Sequence, residues 1–328
     1  MLQKNAKEEK NFDGEDFFVV ENYLIDFVRL NNSNSQQIFF IETHLSGRRT
    51  LNSSREVCSI ESAARINPTL DIYFLLMTDQ DEVVLDQTPQ LEVLLSYPNI
   101  RIRFANITEF TRGTIVEKFF AENFVGKSEF RLEHTSDIIR MLVLNKFGGL
   151  YLDHDVLSVY PIKLLVDKNF GCLETSNKFN NAIIKLDKIE GKKYSDLYLE
   201  QVVKHYDPEN WAGNGPDQVT AAFKTYCNDL NLDVNQTSTC DKITAIKSEK
   251  CFLYMWWEFK EFYEEESTEE GLRKLAKNSP YFIHIWNSSL KFYEHNNYNE
   301  SMSDDSKTLY MELAKSLCPK TIKMTETF

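Results

Sequence analysis

No stretch of this chain is apolar for long enough to cross a bilayer, since runs such as Ile72 to Met77 fall far short of the about 20 residues a spanning helix needs. The opening MLQKNAKEEKNFDGED is charged and holds no apolar signal-peptide core. A lumenal protein of this sequence would take its anchor from outside this chain. Basic charge is also short: 37 Lys and Arg face 50 Asp and Glu, a net charge of -13. That balance lacks the clustered cations that bind nucleic-acid phosphates by releasing counterions, so no nucleic-acid partner is expected. An anionic nucleotide would need a local cation beside it. What the chain does have is length and apolar content, 328 residues at 42% hydrophobic, enough for a sizeable core in one large domain or two tightly merged ones.

Six cysteines, Cys58, Cys172, Cys227, Cys240, Cys251 and Cys318, show no zinc-knuckle spacing. They favour disulfides, with 15 pairings open, and six free buried thiols are the alternative. Sequons at Asn31, Asn52, Asn106, Asn235, Asn287 and Asn299 point the same way, toward the secretory pathway.

Residues 1–36 read as a polar, loosely ordered segment that ends in the linker NNSNSQQ. The spacing then predicts a strand over Ile38–Thr43 and a helix capped by Ser53 and Glu56 that runs to Asn67, before Pro68. Val57, Ile60 and Ala64 form its inward stripe. Asp71–Met77 and Ile100–Phe104 are further strands on either side of the helical LEVLLSY. This β-α-β-α-β order predicts an α/β fold with a parallel sheet.

The most informative stretch is SDIIRMLVLNKFGGLYLDHDVLSVYP, Ser136 to Pro161: a helix opening at Ser136, stopped by Gly148 and Gly149, then an apolar strand with two carboxylates one residue apart. Strand alternation predicts Asp153 and Asp155 on one side and His154 facing outward on the other. Paired carboxylates hold a hard divalent cation that leaves positions open for a diphosphate. The motif alone is weak, as Asp79-Gln80-Asp81 repeats it in an ordinary acidic turn. Asp137 and Arg140 share a helix face and are expected either to reach the ligand at the strand ends or to form a surface ion pair.

That run, with IFFIETH, VCSIESAARINP and HIWN in register between about residues 38 and 290, resembles the α1,4-galactosyltransferase and α1,4-N-acetylglucosaminyltransferase family of DXD-containing retaining glycosyltransferases, of which globotriaosylceramide synthase is one. The resemblance implies a GT-A type, Rossmann-like mixed sheet flanked by helices, as a single catalytic domain over residues 37–302 with a C-terminal helix or tail over 303–328. It further implies Mn²⁺, a UDP-sugar donor and a Golgi location. Carried over by residue, Asp153, Asp155 and His284 look like the metal ligands. Asp137, Arg140, Asp153, Glu42 and Thr43 look like donor contacts. Asn181 in KFNNA, and Asp217 and Gln218 in GNGPDQ, look like the reaction centre.

The expected function is transfer of galactose, N-acetylgalactosamine or N-acetylglucosamine from UDP to a terminal sugar of a glycolipid or glycoprotein glycan, in α1,4 linkage. A retaining mannosyl- or glucosyltransferase, or a catalytically silent glycan-binding module on the same fold, are the alternatives. The acidic segment Glu258–Glu270 is expected to be solvated, and Trp256, Trp257 and Trp286 to fill core, with stacking on an acceptor sugar as the alternative.

Overall fold

The computed structural model describes residues 6–10, 16–20, 37–165, 168–228, 231–292 and 306–324. Its centre is an eight-stranded mixed sheet. In chain order its strands are β1 (Gln37–Glu42), β2 (Asp71–Thr78), β3 (Ile100–Asn106), β4 (Gly149–Leu152), β5 (Asn169–Thr175), β6 (Lys178–Leu186), β7 (Ser238–Cys240) and β8 (Ile243–Ile246). Their spatial order is β7-β8-β5-β6-β4-β1-β2-β3. Strands β4, β1, β2 and β3 run parallel, while β6 lies antiparallel between β4 and β5.

Period-2 alternation makes this sheet the middle of three layers. Ile38, Phe40, Ile72, Phe74, Leu150 and Leu152 enter one core, whereas Phe39, Ile41, Tyr73, Leu75 and Tyr151 enter the other. The first core is covered by helices α1 (Ser54–Ile66) and α2 (Pro89–Leu95) and by the helix Leu309–Leu317. The second is covered by α3 (Arg131–Phe147), α4 (Glu190–His205) and α5 (Pro216–Tyr226). The strands predicted over 38–43, 71–77 and 100–104 and the helices predicted over 53–67 and 91–97 are present to within two or three residues. Ser53 caps α1 by accepting the Glu56 N–H, and Val57, Ile60 and Ala64 are buried.

Two expectations need correction. Helix α3 begins at Arg131, not Ser136, because the polar segment before Ser136 continues the helix; Ser136 lies inside it, placing Asp137 and Arg140 beyond the first turn. Within residues 1–36, Ala6–Lys10 and Asp16–Val20 form paired strands that extend the short strand Val83–Asp86. Ladder hydrogen bonds join backbone to backbone, so polar side chains do not forbid the pairing. The remainder of that segment, the 302/303 boundary, and the sequons Asn31 and Asn299 lie outside the described residues.

All six cysteines are paired, Cys58–Cys318, Cys172–Cys251 and Cys227–Cys240; the first ties the C-terminal helices to α1. Among the described residues no helix is long and apolar enough to cross a membrane.

Candidate active site

Strand β4 stops at Leu152, so Asp153, His154 and Asp155 form a turn at its carboxyl end and not a pleated strand. The Asp153 carbonyl accepts the Val156 N–H at 3.1 Å, and the Asp153 N–H donates to the Ala182 carbonyl at 2.9 Å. The chain then pairs Val156–Ser158 antiparallel with Phe282–His284, setting His284 opposite Val156. This pairing, not side-chain alternation, assembles Asp153, Asp155 and His284, whose ligand atoms lie within 4.8 Å of one another. Asp79 to Asp81, by contrast, is exposed just beyond the end of β2.

Asp155 is held on three sides. Its Oδ1 lies 2.9 Å from His284 Nε2, its Oδ2 accepts the Asn287 N–H at 2.9 Å, and its carbonyl accepts the Ile285 N–H at 2.9 Å. Burial would raise the Asp155 carboxyl, but the His284 charge and these hydrogen bonds hold it below the ordinary carboxylate range. Burial likewise works against the His284 charge, and Asp155 raises it above the usual imidazole value.

The two glycines after α3 explain how the helix feeds this turn. Gly148 ends it at φ 63°, and at Gly149, φ 114°, a Cβ would lie 2.7 Å from the Gln37 carbonyl, so only glycine lets β4 enter beside β1. Arg140 then reaches across from α3, 5% exposed and therefore no surface ion pair. Its guanidinium meets Asp153 Oδ1 and the Asn181 carbonyl at 2.9 Å, Ser136 Oγ at 2.8 Å and Asp137 Oδ1 at 3.2 Å. It also covers the Tyr151 ring, whose hydroxyl donates to Asp153. Burial opposes the Arg140 charge, but Asp153, Tyr151 and Asp137 hold it well above its ordinary value. Asn181 Nδ2 donates to Asp137 Oδ1 at 2.6 Å, while burial pushes the Asp137 carboxyl up to about 6.

A second layer, absent from the sequence reading, presses a loop against this pair. His134, fully buried in α3, contacts Ser128 Oγ at 2.9 Å, the Asn210 carbonyl at 3.2 Å and Asn214 Nδ2. The Tyr198 hydroxyl donates to the carbonyls of Asp137 and Asn214 at 3.0 and 2.6 Å. Gly215 is thereby packed so tightly that a Cβ there would lie 2.4 Å from Asn181 Nδ2. Nothing local signals the contacts of Tyr198 with Asp137 and of His134 with Asn214, which join residues 61 and 80 positions apart in the chain.

The Asp153–Asp155–His284 triad and the Arg140 network border one cavity of about 760 Å³. Glu42, Thr43, Asp137, Arg140, Asp153, Asp155, Asn181 and His284 all line it. Glu42 is held down to about 2: burial opposes its charge, but the His44 hydrogen bond and His154 outweigh it. Thr43 donates to the Leu132 carbonyl at 3.1 Å. Asp217 and Gln218 are not among the lining residues; Asp217 faces Lys178 Nζ at 3.1 Å, and Gln218 donates to the Gly213 carbonyl at 2.9 Å.

His154 is turned inward, against Phe40 and Phe74, with Glu42 and Glu56 near it, because the turn redirects it from the outward path of a strand. Of the tryptophans expected in the core, only Trp286 is buried; Trp256 and Trp257 are about half exposed. Both open the polar segment Trp256–Phe262, where Phe259 and Phe262 take the inward positions instead. Asn287, with its sequon, lines the cavity, whereas Asn52 and Asn235 are exposed.

Two carboxylates and an imidazole are a donor set that suits a divalent cation. The buried Nδ1 of His284 has no hydrogen-bond partner among the described residues, Nε2 faces Asp155, and the ligand atoms of all three residues lie close together, so the residues fit such an ion.

Comparison with known proteins gives two adjoining matches. Residues 53–172 match the glycosyltransferase sugar-binding region containing a DXD motif, and residues 189–325 match the α1,4-glycosyltransferase conserved region. Lactosylceramide 4-α-galactosyltransferase of Rattus norvegicus is 27% identical over 285 residues, covering 87% of this chain and 74% of that protein. The α1,4-N-acetylglucosaminyltransferase of Homo sapiens is 24% identical over 269 residues, 81% of this chain and 74% of the relative. Among solved structures, the galactosyltransferase LgtC, in complex with donor and acceptor sugar analogues, aligns at a TM-score of 0.41 and 14% identity, over 86% of this chain and 96% of its own. Asp153 and Asp155 fall in the first matched segment and His284 in the second, and the structure closes both onto one triad: the chain is similar to the α1,4-glycosyltransferases over both matched segments.

Proposed function

We propose that the chain is a retaining α-glycosyltransferase that moves galactose, N-acetylgalactosamine or N-acetylglucosamine from UDP to a terminal sugar of a glycolipid or glycan, in α1,4 linkage and in the Golgi lumen. The observation that carries this reading is the convergence of Asp153, Asp155 and His284 with Arg140, Asp137 and Asn181 on one cavity. The relatives' names support the linkage and two of the three candidate sugars, galactose and N-acetylglucosamine.

Asp153, Asp155 and His284 would hold Mn²⁺, which when bound supplies Lewis-acid stabilisation of charge on the departing diphosphate. The protein's own groups do the positioning. Arg140, desolvated and anchored on four residues, fixes the Asp153 carboxylate and the Asn181 backbone so that neither reorganises during reaction. The Asp137–Asn181 pair presents a carboxylate and an amide toward the sugar, where charge develops at the anomeric carbon. In same-face transfer the bond from that carbon to the β-phosphate oxygen breaks, its electrons leaving with UDP. The acceptor hydroxyl oxygen bonds the carbon, and its proton passes to the departing phosphate. Asp217 and Gln218 stay candidates for the reaction centre at the cavity's edge, where Lys178 joins Asp217 to the lining.

The test is UDP release by purified protein with Mn²⁺ across a panel of UDP-sugars, with and without chelator. Release from one preferred donor, abolished in Asp153→Asn while the melting curve stays that of a folded protein, is expected. Activity at the wild-type level in that variant would refute the metal assignment, and no release from any UDP-sugar would leave the glycan-binding alternative.

A further inference from the structure

Trp211 and Trp256 are 48% and 47% exposed, yet both line the cavity that contains the acidic triad. They come from unrelated segments. Trp211 belongs to the loop that His134 and Asn214 hold against the Asp137–Asn181 pair. Trp256 opens the short helical segment Trp256–Phe262, with Trp257 edge-on to it at 5.4 Å and 84°. Leaving indole area in water forfeits burial free energy, so two such side chains on one cavity need a ligand to explain them. Trp286, which lines the same cavity, shows the alternative: it is 6% exposed, lies tilted against His284 with ring centroids 3.9 Å apart and donates its N–H to the Tyr254 carbonyl, fixed in the fold.

We propose that Trp211 and Trp256 form the platform for the acceptor sugar, a conclusion that rests on the transferase reading above. A pyranose ring offers one face of C–H groups, which packs on an indole, while its hydroxyls project from the ring and stay free to attack. The tryptophans bring no charge, which matches a neutral sugar and not the donor's diphosphate, whose place is beside the triad. An indole also presents a large rigid surface at low entropic cost.

The test uses Trp211→Ala and Trp256→Ala, both at half-exposed positions where the fold tolerates truncation. Initial rates are measured with UDP-galactose as donor, and with either lactose in solution or lactosylceramide in phosphatidylcholine vesicles as acceptor. Binding of lactose is followed independently by saturation-transfer NMR. The expected result is a rise of about tenfold in the KM for lactose in each variant, about what one lost aromatic contact represents, with the KM for UDP-galactose nearly constant and the lactose saturation signal lost. An unchanged KM for lactose would overturn the platform and leave the transferase reading standing. A loss confined to vesicle-borne lactosylceramide would overturn it too, reassigning the tryptophans to membrane contact. If wild-type protein releases UDP from none of the UDP-sugars in the panel, the transferase reading fails and the platform with it.

Discussion

Replacing Gly215 with alanine tests whether the loop after Trp211 sets the geometry of the Asp137–Asn181 pair proposed to face the donor sugar. The new Cβ would stand 2.4 Å from Asn181 Nδ2 and 2.5 Å from Asp137 Oδ2. Non-bonded heavy atoms rest near 3.5 Å, so something must retreat by about 1 Å. Neither neighbour moves freely. They are hydrogen-bonded to each other at 2.6 Å, Asp137 is 3.2 Å from Arg140, and the Asn181 carbonyl is bound to the same guanidinium. Misplacing a catalytic group by that distance costs about a hundredfold in rate, or about 2.7 kcal/mol of barrier. Overpacking also lowers stability by about 1 to 3 kcal/mol, so a comparator is needed. Gly213→Ala provides it, because its Cβ would meet Asn210 at 2.9 Å and not the Asp137–Asn181 pair. The assay is kcat/KM for UDP release with thermal melts of both variants. Gly215→Ala is expected to lose about a hundredfold in kcat/KM while melting no lower than Gly213→Ala, which keeps most of its activity. A Gly215→Ala enzyme within about threefold of wild type would refute the claim that this loop positions the pair.

Two further outcomes follow from buried groups. The Asp137 carboxyl is pushed up to about 6 by burial, so the folded protein binds this proton more tightly than the unfolded chain; the stability it contributes is fully present below the ordinary carboxylate pKa and is lost as pH rises through 6. Asp137→Asn should flatten the stability profile between about pH 4 and 6 in urea titrations, and an unaltered slope would contradict the assignment. The Cys58–Cys318 disulfide spans 260 residues, so replacing both cysteines with serine should lower unfolding free energy by about 2 to 5 kcal/mol under non-reducing conditions. A loss below about 1 kcal/mol would show that α1 and the C-terminal helices hold together without it.

Local chemistry wrote much of this molecule into its sequence. Short apolar runs gave β1, β2 and β3, the Ser53 cap started α1, and Gly148 with Gly149 ended α3. These signals act over a few residues and can be read without knowing what lies across the sheet. The acidic pair was legible for the same reason, although its geometry was read wrongly, as a strand where there is a turn. Only the tertiary structure decided the rest. His284 joins Asp155 across 129 positions because two short strands pair, and His134 and Tyr198 reach Asn214 because α3 and α4 pack side by side. It also decided that Trp256 faces the cavity while Trp286 is buried, a choice no local spacing encodes. Burial and partner identity depend on which distant segment arrives, and that is set by packing of the whole core.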